Sequence, residues 1–269
     1  MDARANYWHK QTPDEPLFPD LQWSRPENRQ FAGKLLIVGG NVHGFAAAAE
    51  AYGLAETAGI GTTRVLLPDV LQKTVRRIFP AAEYAPSTPS GSFGQKALGE
   101  LLPLGAWADG VLLAGDLGRN SETAILLEKF VTTYSGQITM TRDAADYFTS
   151  SPRLVLERPD TLLVVSFAQL QKLAVAAKYP AAFTFDMDLL RLIDQLHDFS
   201  LQYPLALIVR HLDNVIVAVG GEVSTTKVPA EQLVWRLSTA ARACVWWLQQ
   251  PSKGFAALST AVVDKGAKR

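Results

Sequence analysis

The strongest constraint on this chain is a recurring unit: a short apolar run, a turn of glycine or small polar residues, then a helical stretch. Leu35-Leu36-Ile37-Val38 ends at Gly39-Gly40, and residues 44–58 follow as an alanine-rich helix by propensity. A four-residue run without polar alternation suits a strand buried on both faces, which means a parallel sheet covered by helices. The unit recurs. Arg64-Val65-Leu66-Leu67 predicts a second strand, with Asp69 capping a helix through Arg77. Gly110-Val111-Leu112-Leu113-Ala114 predicts a third, and Asn120 or Ser121 opens a helix to about Tyr134. Residues 138–140 and 162–165 read as further strands, the latter leading into a helix through Lys178.

Residues 186–202 read as an amphipathic helix with Leu189, Leu190, Ile193 and Leu196 on one face. Residues 205–209 and 215–219 predict two strands joined through His211-Leu212-Asp213-Asn214 as an antiparallel hairpin. Pro229 suits the first turn of a helix to about Leu248, and a last helix covers 253–263. Repeated strand–helix units imply a mostly parallel central sheet with helices on both faces, a three-layer α/β fold. The length of 269 residues allows two small domains or one large one. No repeat or linker interrupts the pattern, so residues 34–269 are expected to form a single domain.

Residues 1–33 form a separate zone. Pro13, Pro16, Pro19 and Pro26 forbid a long helix there, yet Tyr7, Trp8, Leu17, Phe18, Leu21 and Trp23 are too apolar for a free tail. An extended N-terminal arm is expected, packed on its own body or on a partner subunit of a homo-oligomer. Lys and Arg balance Asp and Glu, 26 − 26 = 0, and no local basic patch stands out, so nucleic acid is not an expected partner. No apolar run approaches the roughly 20 residues that span a bilayer. The opening residues are polar and proline-rich rather than a signal peptide. The single Cys244 excludes an internal disulfide framework, and a cytoplasmic location without membrane attachment is expected.

Two loops follow strands directly and precede helices, the place where ligands bind in open α/β sheets. One is Gly39-Gly40-Asn41-Val42-His43-Gly44; the other is Ala114-Gly115-Asp116-Leu117-Gly118-Arg119. Glycines let backbone amides approach an anion, and a helix N-terminus favours negative charge. Arg119 adds a cation suited to phosphate, and His43 a proton carrier or phosphate contact. The plainer reading of both loops is a pair of tight turns. Neither matches the P-loop pattern or the dinucleotide fingerprint.

The sequence from Lys34 to Gly44, with the alanine-rich helix after it, resembles the opening of the NAD(P)H-hydrate dehydratases of the ribokinase-like superfamily. Residues 109–119 resemble that family's strand and Gly-Pro-Gly-Leu-Gly loop. Leu117 and Gly118 fit, while Ala114, Gly115 and Asp116 replace the Gly-Pro-Gly. The order of elements runs in step from about 30 to 263. The resemblance implies a ribokinase-like fold and a site for ATP or ADP with Mg2+. It also implies a damaged NAD(P)H-type ligand, repaired by a lyase reaction that removes water. Carried over, the contacts with such a nucleotide or dinucleotide would be Gly39, Gly40, Asn41, His43, Gly44, Gly118 and Arg119.

The motifs that carry the chemistry diverge. Thr141-Arg142-Asp143-Ala144-Ala145 stands for the family's Asp-Ala-Asp-Ala-Leu, leaving Asp143 as the one catalytic candidate. Val165-Ser166-Phe167-Ala168-Gln169 stands for Thr-Pro-His-Pro-Gly-Glu, without its His and Glu. Residues 222–231 replace the Gly-rich turn ending in Gly-Asp that opens the helix near 232, and Pro229 lacks an amide proton altogether. Loss of one oxyanion donor costs on the order of 100- to 1000-fold in rate. Glu222, Glu231 or Asp213 would have to supply the missing carboxylate. An alternative is an inactive binding or assembly protein on the same fold; a weaker one is a small-molecule kinase.

The remaining polar and aromatic residues take structural expectations. Ser224, Thr225 and Thr226 read as loop and cap residues, with phosphate contact as the sharper option. His211 reads as a turn residue, and Asp143 and Asp146 as caps of a short helix, or as holders of Mg2+ through water. Cys244 reads as a buried, inert thiol. Trp246 and Trp247 point about 100° apart on a helix and are not expected to share one core, so one is left for the arm or a subunit contact. Trp235, Trp246 and Trp247 could alternatively stack on a base. No spacing suits a structural metal.

Overall fold

In the computed structural model, which describes residues 6–228 and 235–264, the chain forms one ten-stranded sheet. The strands are β1 Trp8–Gln11, β2 Lys34–Gly39, β3 Thr62–Pro68, β4 Ala82–Ala85, β5 Gly110–Gly115, β6 Gln137–Thr141, β7 Thr161–Val165, β8 Ala206–His211, β9 Asn214–Val219 and β10 Glu222–Lys227. Their order is β1-β10-β9-β8-β7-β6-β5-β2-β3-β4, with only β9 antiparallel to its neighbours. The buried runs predicted near 35–38, 110–114 and 162–165 become β2, β5 and β7, and their side chains face both ways into apolar layers.

Those layers are two separate cores. One holds the helices Leu98–Trp107, Ser121–Thr133, Phe167–Ala176 and Leu189–Gln202 against one sheet face. The other holds Ala46–Thr57, Arg236–Gln249 and Gly254–Val263 against the opposite face. The alanines of Ala46–Thr57 serve this second core: Ala47, Ala48, Ala51 and Ala55 are buried, and their small side chains let the helix lie close to the sheet.

Several local expectations change in three dimensions. Asp69 does not cap a helix; its carboxylate accepts the amide and hydroxyl of Ser87, and the following turns end at Val75. The helix expected from 186 starts at Leu189 with Asp188 as its cap, and Leu190 is 45% exposed, so the buried face is Leu192, Ile193, Leu196 and Phe199. His211 is not a turn residue. It ends β8 at 5% exposure with Nε2 on the Met187 carbonyl, because the turn is confined to Leu212 and Asp213. Ser224, Thr225 and Thr226 are not loop or cap residues but lie within β10. Their hydroxyls are taken by Ser259, Trp8 and Gln11, so a polar strand is buried by pairing rather than by hydrophobicity. The helix start at Pro229 and the candidate Glu231 lie outside the described residues; the described helix is Arg236–Gln249.

The arm packs on its own body. Its Trp8–Gln11 segment becomes β1, parallel to β10, and Tyr7 stacks on His197 and donates to Asp194. Trp246 and Trp247 are both buried, against the expectation of divided roles. Their helix is enclosed by the sheet, by Ala46–Thr57 and by Gly254–Val263, so more than one of its faces is interior. Trp246 also meets the arm, with the Arg25 guanidinium 4.0 Å from its ring centre and its own Nε1 donating to Asp264. Cys244 is buried in the same helix, and burial pushes its thiol up to about 12.

Candidate functional site

β2 leads to β3 and β4 on one side of the sheet, while β5 to β8 run away on the other. The strand order therefore reverses between β2 and β5, and their following helices lie on opposite sheet faces. A crevice must open above their carboxyl ends. Both glycine loops stand there, packed backbone to backbone: a Cβ on Gly39 would come within 2.6 Å of the Gly115 carbonyl oxygen. Asn41 ties the loops together by donating from Nδ2 to the Asp116 carbonyl at 2.7 Å.

Most amides of these loops are already used within the chain. In the first loop Gly40 bonds the Gly115 carbonyl, Asn41 and Gly44 bond each other, Val42 bonds Gly91, and His43 donates to Asn41 Oδ1. The following helix has Phe45 at its N-cap, which gives no side-chain bond. Its Ala47 amide is met instead by Asp116 Oδ2 at 3.0 Å, a carboxylate from the other loop. In the second loop the amides of Leu117 and Gly118 donate to Asp143 Oδ2 at 2.9 and 3.2 Å. Two carboxylates of the protein thus sit where anions are favoured.

Asp143 follows β6, and Gly115 makes room for it: a Cβ there would lie 2.7 Å from Asp143 Oδ1. That oxygen is buried without a hydrogen-bond partner among the described residues. Burial raises the Asp143 pKa, against the lowering effect of the Gly118, Leu117 and Asp116 amides. Neither Asp143 nor Asp146 caps its short helix as expected, since the loop amides and Gln169 Nε2 claim the two carboxylates.

Above these residues lie two adjoining cavities that share Asp143 and Asp146. One, of about 480 Å3, is lined by Asp116, Arg142, Gln169, Trp235, Arg236 and Leu237 as well. The other, of about 580 Å3, adds Gly118, Arg119, Asn120, Tyr147, Thr149 and Lys172. Of the residues the sequence singles out, Gly118, Arg119 and Asp143 line this cleft. Gly39 and Gly40 are buried beneath it, Asn41 braces the loops, and His43 and Gly44 line neither cavity. Asp213 lies exposed in the β8–β9 turn, and Glu222 pairs with His9 at 2.5 Å.

Sequence reasoning missed Gln169 and Arg236 as site residues. Gln169 completes a capping box with Ser166, and its side chain bonds the Arg142 carbonyl, Asp146 and Arg236. The Ser-x-x-Gln spacing was readable as a helix start, but the partners across the cleft were not. Burial, then the Arg142 guanidinium, push the Arg236 pKa down, with Asp146 and Asp143 acting the other way. Among the described residues no group of three His, Cys, Asp or Glu stands together to hold a metal ion. No helix there is long and apolar enough to cross a membrane.

The strand order, the two helical layers and the switch-point cleft define an α/β protein of the ribokinase-like fold. No protein-family model and no curated protein matches the sequence. Solved structures do match. A ribokinase-like superfamily protein from Enterococcus faecalis V583 aligns with a TM-score of 0.71 at 13% identity, covering 95% of this chain and 86% of its own. The ADP/ATP-dependent NAD(P)H-hydrate dehydratase from Bacillus subtilis, co-crystallized with ATP/Mg2+, aligns at 0.59 and 10% identity, covering 92% and 86%. An ADP complex of pyridoxal kinase from Bacillus subtilis aligns at 0.52 and 8% identity, covering 85% and 88%.

Proposed function

We propose that this chain binds a nucleotide or dinucleotide, ATP, ADP or an NAD(P)H-type molecule, in the cleft above β5–β7, and that the dehydration reaction of its dehydratase neighbour is lost. One observation carries the reading: the cleft at the switch point gathers Arg119, Arg142, Lys172 and Arg236 around Asp143. Four cations against Asp116, Asp143 and Asp146 give 4 − 3 = +1, and two of those carboxylates are turned onto the protein's own amides. The surplus of one positive charge favours an anionic ligand, and it is carried by cations other than Arg142, which pairs with Asp116. Guanidinium and ammonium groups, rather than loop amides, would hold the phosphates.

The sequence supports the lost reaction. Residues 222–231 carry no Gly-Asp, and the described helix after them begins at Arg236, whose guanidinium cannot act as a base at neutral pH. For Mg2+ the donor set is thin: Asp116 uses both oxygens, and Asp143 and Asp146 each have one oxygen in a hydrogen bond, so an ion would arrive on the ligand's phosphates and meet what those two carboxylates leave open. Superposition on nucleotide-binding neighbours supports the ligand class alone.

The test is a thermal-shift series with ATP, ADP, AMP, NADH and NADPH, with and without Mg2+. A ligand at 100 times its Kd stabilises by about 2.7 kcal/mol, a rise of about 5 °C or more for a chain of this size. The same protein, given hydrated NADH with ATP, should show no turnover. A flat series would favour the second reading, a binding or assembly protein whose exposed Trp23 and Phe31, 89% and 77% accessible, meet another chain.

A further inference from the structure

Resting on the ligand reading above, we infer that Asp116 is a built-in charge filter: its carboxylate fills the anion position at the start of the helix Ala46–Thr57 and occupies Arg142. Phosphate groups then bind this chain more weakly than its cations alone would allow.

Asp116 is held from three sides. Oδ2 accepts the Ala47 amide at 3.0 Å, Oδ1 accepts Arg142 at 2.6 Å, and its carbonyl accepts Asn41 at 2.7 Å. It is not a surface side chain free to swing away. The backbone bends to make this happen. Asp116 and Arg142 have φ of +57° and +56°, the left-handed region that costs a non-glycine residue energy. The two left-handed residues follow neighbouring strands, β5 and β6, and face each other in one ion pair across the cleft. Aspartate visits this region more readily than most residues, whereas arginine does not, and Arg142 holds it while paired with Asp116.

That position is the one a phosphate oxygen would seek, since it offers a first-turn helix amide, the positive end of a helix and a guanidinium together. Asp116 supplies a permanent negative charge there. An incoming phosphate meets repulsion from Asp116, finds Arg142 already paired, and finds the Leu117 and Gly118 amides closed by Asp143. The anionic end of the ligand is thereby directed toward Arg119, Lys172 and Arg236. Among the described residues neither Arg119 nor Lys172 makes an ion pair or side-chain hydrogen bond.

The test is calorimetric titration of the full chain with ADP, with inorganic pyrophosphate and with uncharged adenosine, at one fixed ionic strength. Asp116→Asn removes the charge and keeps the shape; Asp116→Gly empties the position and suits the left-handed backbone. Both phosphate probes should bind about tenfold tighter to Asp116→Asn than to the wild type, and tighter still to Asp116→Gly. Adenosine should bind all three alike, a pattern that general loosening of the loop would not give. Adding Arg142→Ala to Asp116→Gly should cancel the gain. Should Asp116→Asn fail to fold, Asp116→Gly carries the test. Unchanged or weaker phosphate binding in folded variants overturns the filter. If the wild type binds and the variants bind no tighter, the ligand reading survives and the filter falls. If only the variants bind, the filter stands and nucleotide binding by the native chain falls. If nothing binds, both fall.

Discussion

The two ends of β5–β7 solve mirror-image problems in backbone chemistry. At the amino ends, carbonyls need donors, and the half-buried Arg158 supplies them. Its guanidinium donates to the carbonyls of Tyr134, Gly136, Pro159 and Asp160 and to the hydroxyl of Thr161. Burial lowers its pKa, and its bonds go inward to the main chain and Thr161. At the carboxyl ends, amides need acceptors, and Asp116 and Asp143 supply those. The second solution is left open. Arg119 and Lys172 stay unpaired among the described residues, and Asp143 keeps a buried oxygen without a partner. A closed set of charges is structural; the proposed ligand site lies at the other end, where charge and strain are left over in a cleft.

The largest expected effect lies at the closed end. Arg158→Met should cost about 3 kcal/mol in urea unfolding, because several carbonyls lose charged donors at once. Affinity for ADP should hold in the folded fraction; a matching fall in affinity would erase the distinction between the ends.

The next effect concerns Asp143 and pH. Burial raises its folded-state pKa above the unfolded value, so the folded protein holds this proton more tightly. The stability it contributes is full below the ordinary carboxylate range, about pH 4, and is lost as pH rises through the folded pKa. Asp143→Asn should remove that slope. Unfolding curves from acid to neutral pH should show the wild type losing stability relative to the variant. Parallel profiles would place Asp143 among ordinary loop carboxylates.

The smallest effect on stability falls at the open end. Lys172→Ala should change unfolding by no more than about 0.5 kcal/mol. It should nevertheless weaken ADP binding about tenfold, the equivalent of about 1.4 kcal/mol. A titration that shows no weakening would move the ligand's anionic end away from Tyr147 and Lys172.

Much of the frame was legible along the chain. Residues 35–38, 110–114 and 162–165 carry their own burial pattern, and Asn120 caps its helix through the Glu122 amide as its type suggests. The order of such units confined the answer to a parallel sheet with a switch point, and hence placed the two glycine loops. The strands that escaped reading are β1, β4 and β10. Each is short or polar, and β10 is buried through Trp8, Gln11 and Ser259, partners at least 35 positions away.

What the sequence determined by itself was therefore everything that depends on a neighbour within a turn or two: the apolar runs, the helix starts, the glycines after β2 and β5. Only the tertiary structure decided what those glycines face. Asp116 reaches Ala47 across 69 positions, and Arg236 reaches Gln169 across 67. A carboxylate in a loop reads the same whether it points at water, at a ligand or at the chain's own helix. The choice is made by electrostatics between segments, and that becomes readable when the sheet brings them within hydrogen-bond distance.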